Sequence, residues 1–244
     1  MDAAEGDRLS DNSAVVSTHD GGSMPAYLAM PASGRGPGIV VLQEIFGITD
    51  YLKRRARDLA ELGYVALLPD LYWRIGSGVV LAEDTQEGLQ QAFGYLQRLD
   101  EPQAVDDAVA ALEHLRAMPQ TGGKAGVLGF CMGGRLAYGV GVASDPDVVV
   151  SYYGSGIGSQ LQDASKVECP VVFHFGEADA YLPVEEAERI CEAFSNHPGT
   201  EVHMHPGAGH AFDNPSPMFH HAEASREAWP QTVAFLERYL PPSG

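Results

Sequence analysis

Cys131 sits in the run Gly129-Phe130-Cys131-Met132-Gly133-Gly134, directly after the apolar segment Lys124 to Leu128. A thiol in that setting is a candidate nucleophile. A strand that feeds a tight turn and then a helix presents its turn residue at the sheet edge, and flanking glycines remove side chains that would meet neighbouring backbone. The N-terminus of the following helix favours a thiolate, and the Met132 N–H would face a developing oxyanion. An inert buried cysteine is the alternative reading of the same run. No G-x-G-x-x-G pattern forms, which argues against dinucleotide binding.

A nucleophile needs a base and a group to orient that base. Asp179 closes Gly176-Glu177-Ala178-Asp179 after the apolar segment Val171 to Phe175. His210 stands in Gly207-Ala208-Gly209-His210-Ala211-Phe212 after Glu201 to His205. Singly, Asp179 suits a helix N-cap and His210 a surface histidine. Together they follow the order nucleophile, acid, histidine, each after a strand-like segment, and that order points to a triad for acyl transfer. Glu44 ends the apolar run Gly38 to Gln43, where a carboxylate facing the interior needs a partner. Beside Cys131 its charge would disfavour the thiolate; a solvated loop position or a salt bridge is the other reading. Phe46, Trp73, Tyr152 and Tyr153 are candidates for the walls of a pocket or for ordinary core. His203 and His205, two apart on a strand, and the adjacent His220 and His221 read as packing or solvated groups. No metal site is expected, and the chemistry requires no cofactor.

The elements that must position these residues are legible as an alternation. Ala14 to His19 and Ala26 to Met30 read as a hairpin around Asp20-Gly21-Gly22. Gly38 to Gln43, Tyr64 to Leu68, Lys124 to Leu128, Val148 to Tyr153, Val171 to Phe175 and Glu201 to His205 read as strands, most of them continuous apolar runs buried on both faces. Helices are expected over Asp50 to Leu62, Glu83 to Leu99, Pro102 to Met118, residues 131 to 143, Val184 to Phe194 and Trp229 to Tyr239, with a loop from Leu71 to Val80. Alternating strands and helices predict an α/β fold, a mostly parallel sheet flanked by helices on both faces. Residues 1–12 read as a flexible terminus and 13–244 as a single domain, and Gly-rich segments after strands mark the binding edge.

Composition narrows the partners. Of 244 residues, 33 are Asp or Glu and 15 Lys or Arg, a net charge of −18. Phosphate backbones and anionic membrane surfaces need clustered cations, so neither nucleic acid nor membrane is an expected partner. The one basic cluster, Lys53, Arg54, Arg55 and Arg57, reads as a solvated helix face. The first residues, Met1 to Asp7, are acidic and lack the apolar stretch of a secretory signal. The three cysteines, Cys131, Cys169 and Cys191, fit neither a disulfide framework nor a zinc site. The expected setting is therefore cytoplasmic, with a monomer as the default.

The motifs Gln43-Glu44-Ile45-Phe46-Gly47, Pro69-Asp70-Leu71-Tyr72, Gly129 to Gly134, Tyr152-Tyr153-Gly154, Phe175 to Asp179 and Gly207 to Phe212 resemble, in combination, those of the dienelactone hydrolases (carboxymethylenebutenolidases) of the α/β-hydrolase superfamily. They span roughly residues 14 to 240. The resemblance implies Cys131 as nucleophile, His210 as base, Asp179 as orienting acid, Ile45 and Met132 as oxyanion-hole amides, and Glu44 as the carboxyl that contacts the resting thiol and gates it. It also implies a small-molecule ester or lactone as substrate. In the family two arginines grip the substrate carboxylate. Here the position four after His210 is Asn214, and no basic residue lies between Arg74 and Arg98, leaving Arg74 as the nearest substitute. Without a charge-assisted clamp, neutral esters or lactones are expected, with phosphotriesters as a further class of electrophile. A non-catalytic binding protein and a thiol redox protein on the same fold are the readings from other classes.

Overall fold

Strands whose residues are apolar at every position can only be satisfied by cover on both faces, and the computed structural model, which describes residues 12–242, arranges them that way. Eight strands form one sheet: β1 (Ser13–Ser17), β2 (Ser23–Ala29), β3 (Gly38–Leu42), β4 (Val65–Pro69), β5 (Ala125–Phe130), β6 (Val149–Tyr152), β7 (Val171–Gly176) and β8 (Thr200–His205). Their order is β1-β2-β4-β3-β5-β6-β7-β8. The hairpin β1–β2 is antiparallel and β2 pairs antiparallel with β4; every other pairing is parallel. The central strands β3, β4 and β5 are buried along their full length.

Side chains alternate between the faces with the period of two that a pleated strand imposes. Val40 and Leu42 of β3 enter one core with Val65 and Leu67, while Ile39 and Val41 enter the other with Ala66 and Leu68. The first core is closed by α3 (Gln86–Arg98), α4 (Glu101–Ala117), α5 (Met132–Ala143) and α6 (Val184–Ala193). The second is closed by α1 (Asp50–Glu61) and α7 (Ala222–Tyr239). A four-residue helix, α2 (Trp73–Gly76), interrupts the expected loop from Leu71 to Val80, and short 3-10 turns follow α4 and β6. Parallel strands deliver all their carboxyl ends to one edge, and the candidate residues of β3, β5, β7 and β8 meet there.

The expected N-terminal flexible segment lies outside the described residues except for Asn12, which pairs with β2 through Leu28 N–H (2.8 Å) and Tyr27 (2.9 Å). The terminal helix begins at Ala222, seven residues earlier than expected. The His221 imidazole caps it by accepting from Ala224 N–H at 3.3 Å, and Pro230 is carried inside it. Arg55 departs from the expected solvated face: its guanidinium is turned inward onto Asp213, whereas Arg54 and Arg57 are exposed.

Candidate active site

Cys131 has φ 56° and ψ −118°, a backbone conformation that L-residues rarely hold, and one that costs about 1–3 kcal/mol. The turn is over-determined by its neighbours. Cys131 N–H donates to Tyr152 O at 3.0 Å and Gly134 N–H returns to Cys131 O at 2.9 Å. A Cβ on Gly129 would strike the Gly133 carbonyl, and one on Gly133 would strike the Leu42 carbonyl. Only glycine permits this approach of β5, α5 and β3, and it leaves the thiol at the N-terminus of α5.

His210 Nε2 lies 3.0 Å from Cys131 Sγ, and its Nδ1 lies 2.8 Å from Asp179 Oδ2. Asp179 Oδ1 accepts from Tyr181 and Leu182 N–H at 2.8 and 3.0 Å. Asp179 does not cap a helix, since α6 begins at Val184 after Pro183: one of its oxygens holds the turn and the other faces the imidazole. A carboxylate at Nδ1 fixes the tautomer that turns Nε2 toward sulfur. Burial opposes charge on His210, but Cys131 and Asp179 outweigh it and hold the imidazole well above its ordinary value. Among the described residues, the Ile45 and Met132 amides donate to no other protein group. Ile45 lines the same cavity as Cys131, and Met132 follows Cys131 as the first residue of α5.

Glu44 is 1% exposed. It lines the cavity with Cys131, but its expected contact with the sulfur is replaced. Tyr153 OH donates to Oε1 at 3.3 Å and Asn214 Nδ2 donates to Oε2 at 2.7 Å, while the sulfur is engaged by His210. Burial, reinforced by the nearby Glu83 carboxylate, pushes Glu44 up to about 8, so the acid carries its proton at neutral pH.

The cavity, of about 60 Å³, is lined by Glu44, Ile45, Phe46, Cys131, Ser155, His210, Ala211, Tyr181 and Phe219, and roofed by Leu89, Phe93 and Leu96 of α3. Of the expected wall residues, Phe46 is in place. Trp73 and Arg74 are not. Asp107, nearly fully buried on α4, draws both: Trp73 Nε1 donates to it at 2.8 Å, and Arg74 binds it at 2.8 and 2.9 Å while also reaching Asp20 at 2.7 Å. An uncompensated buried carboxylate claims the nearest cation, so Arg74 is spent on the fold. Tyr152 lies beneath the site, its OH 2.6 Å from Thr232 and its ring stacked on His174. Tyr153 packs against His210 and Phe212 behind the site, and Asn214 is fully buried behind Glu44. Neither lines the cavity; both act on it through Glu44.

The residues that sequence reasoning missed had a signal. Leu89, Phe93 and Leu96 stand at helical spacing on α3, an apolar stripe with no strand beneath it. Tyr181 directly follows the Asp179 turn and packs edge-on to His210 at 5.1 Å. His203 and His205 face His174: the His203 and His174 rings stack at 5.1 Å, and His174 Nδ1 lies 3.2 Å from His205 Nε2. No group of three metal-ligating side chains converges among the described residues, and no described helix is long and apolar enough to cross a membrane.

Comparison with known proteins places the family and the fold. The model of the dienelactone hydrolase family matches residues 24–240. A carboxymethylenebutenolidase from Pseudomonas putida is 34% identical over 221 residues, 91% of this chain and 94% of that protein. Carboxymethylenebutenolidase 1 of Cupriavidus pinatubonensis is 33% identical over 236 residues, 96% of this chain and all of its own. Among solved structures, a dienelactone hydrolase-like promiscuous phosphotriesterase from metagenomic libraries superposes with a TM-score of 0.74 at 25% identity, covering 93% of this chain and 98% of that one.

Proposed function

Since the chain belongs to the dienelactone hydrolase family, whose members act on lactone or ester bonds, we propose that it hydrolyses uncharged esters or lactones through a thioester on Cys131. The observation that carries this reading is the hydrogen-bonded chain Asp179–His210–Cys131, with links of 2.8 and 3.0 Å, opening into an apolar cavity.

In the proposed reaction the Cys131 thiolate attacks the carbonyl carbon. A C–S bond forms, and the carbonyl π electrons move to oxygen, which binds the Ile45 and Met132 amides. Collapse of this intermediate breaks the C–O bond, and His210 Nε2–H protonates the departing alkoxide. From a lactone the alcohol stays tethered to the acyl group. His210 then takes a proton from water, the hydroxide adds to the thioester carbonyl, and the thiolate leaves with a carboxylic acid formed. Asp179 keeps the imidazole aligned throughout and stabilises its cationic form. The pocket chemistry favours neutral acyl groups, because among the described residues lining it there is no Lys or Arg, while Glu44 is an acid.

A second reading, attack of the same sulfur on phosphorus of a neutral phosphotriester with expulsion of a phenolate, draws on the apolar lining and on the similarity to the metagenomic phosphotriesterase. A panel of p-nitrophenyl esters, neutral lactones, dienelactone and a phosphotriester tests both. Rapid quenching with intact-mass analysis should reveal an acyl adduct on Cys131 that is absent from Cys131→Ala. Turnover of esters undiminished in Cys131→Ala would overturn the nucleophile assignment.

A further inference from the structure

Asn214 is fully buried and joins two carboxyl groups. Its Nδ2 donates one hydrogen to Glu44 Oε2 at 2.7 Å and the other to Glu83 Oε1 at 2.8 Å, while Oδ1 accepts from Ser216 N–H at 2.9 Å. The Ser216 bond identifies the amide oxygen, so the nitrogen must face both acids. With both hydrogens committed, Asn214 has none left for a substrate.

Glu83 lies on the segment that leads into α3, the roof of the cavity. That segment is fastened twice more. Ser216 Oγ donates to the Glu83 carbonyl at 2.8 Å, and Leu81 N–H donates to Phe46 O at 2.9 Å. One residue therefore belongs to the roof by its backbone and reaches Glu44 through one amide.

We propose that Glu83 is a positioning residue for Cys131: through the shared Asn214 amide, its charge sets the state of Glu44 beside the thiol. Two carboxyls bridged by one amide resist ionising together. The titratable groups facing Glu44 are Glu83 from the roof segment, His210 and Asp213 from the loop after β8, Cys131 from the β5–α5 turn, Tyr153 after β6 and Tyr51 from α1. Of these, the second-largest influence raising Glu44, after burial itself, is Glu83.

This assignment rests on Cys131 being the nucleophile, and its test does not require turnover. The probe is iodoacetamide, with alkylation of the Cys131 peptide followed by mass spectrometry as a function of pH. Glu83→Gln keeps an oxygen for Asn214 but removes the charge. The inflection contributed by Glu44 should then move to lower pH by about one unit, and alkylation at neutral pH should slow as Glu44 ionises beside the thiol. In a Glu44→Gln background the same Glu83→Gln change should do nothing, since a coupling carried by Glu44 vanishes with it. Ser216→Ala loosens the roof segment and leaves the charge, and should keep the wild-type profile. A Glu83→Gln profile that superimposes on wild type, a shift that survives without Glu44, or an equal shift in Ser216→Ala would overturn the proposal. Failure of the hydrolytic reading would appear separately, as absence of ester turnover with Cys131 still alkylated.

Discussion

Arg55 grips Asp213 from the opposite side of the loop that carries His210. Its Nη2 contacts Oδ1 at 2.6 Å and Oδ2 at 2.7 Å, and its Nε contacts Oδ2 at 2.9 Å. The Asp213 side chain is wholly buried, with Tyr51 OH and Ser225 Oγ completing its shell at 2.5 and 2.8 Å. Helix α1 thereby fixes a point three residues beyond His210. Removing one partner of such a buried pair costs about 3–5 kcal/mol, because the other charge is left uncompensated. Arg55→Met should show that loss in urea unfolding. It should also lower kcat, while Arg55→Met combined with Asp213→Leu should lose less than the two single changes summed. Additive losses would mean the pair is not the anchor.

The triad makes a kinetic prediction. Cys131→Ala should reduce kcat/KM for an activated ester at least about 10³-fold, with His210→Ala comparable. Asp179→Asn should fall by about 10²-fold or more, because the amide can present its N–H to Nδ1 and select the wrong tautomer. Combining Asp179→Asn with His210→Ala should add little to His210→Ala alone. Stopped-flow release of p-nitrophenol measures all of these.

Substrate charge provides a separate test. With no Lys or Arg among the described residues of the cavity wall, and Arg74 bound to Asp107, a neutral aryl-acetate ester should exceed its carboxylate-bearing analogue in kcat/KM by at least about tenfold. The gap should narrow as salt is added. Preference for the anionic analogue would contradict the neutral-substrate reading.

The histidine stack predicts an acid-sensitive fold. Burial, with repulsion from neighbouring histidines, holds His174 well below 6.5 and lowers His205 to about 4. The unfolded chain therefore binds more protons than the native one below pH 6.5. The contribution of these two histidines should be level above that value and fall as pH drops from 6.5 toward 4, by up to about 1.4 kcal/mol per pH unit for each, read as the difference between wild type and His174→Phe. Urea midpoints at intervals from pH 7.5 to 5 measure the slope. His174→Phe should flatten it, since Thr232 and Tyr152 still satisfy each other.

Much of this organisation could be read before any coordinates. Uniform apolar runs fixed the central strands, because burial on both faces leaves no other pattern, and the glycines around Cys131 marked a turn that tolerates no Cβ. Asp179 and His210 were legible through their order along the chain. What escaped were choices made by distant partners. Arg55 carries the same charge as Arg54 and Arg57, and only the fold reveals that one of the three meets Asp213. Arg74 stood near the expected pocket, yet the buried Asp107 some thirty residues on captured it. The contact expected between Glu44 and Cys131 gave way to Asn214 and Tyr153, neither of which has a local signal for that role. The start of α7 was hidden because Pro230 interrupts the helical pattern that His221 had already begun.

The roof helix α3 buries only Gly88 and Ala92 fully, yet it supplies Leu89, Phe93 and Leu96 to the cavity. The reacting groups hang on strand ends and tolerate almost no exchange. The roof of the cavity belongs to a lightly embedded element outside the sheet. Selection can therefore redraw the range of molecules this protein accepts, one roof residue at a time, while its bond-breaking apparatus stays as it is. Directed libraries confined to those three positions would explore that freedom with little loss of folded protein.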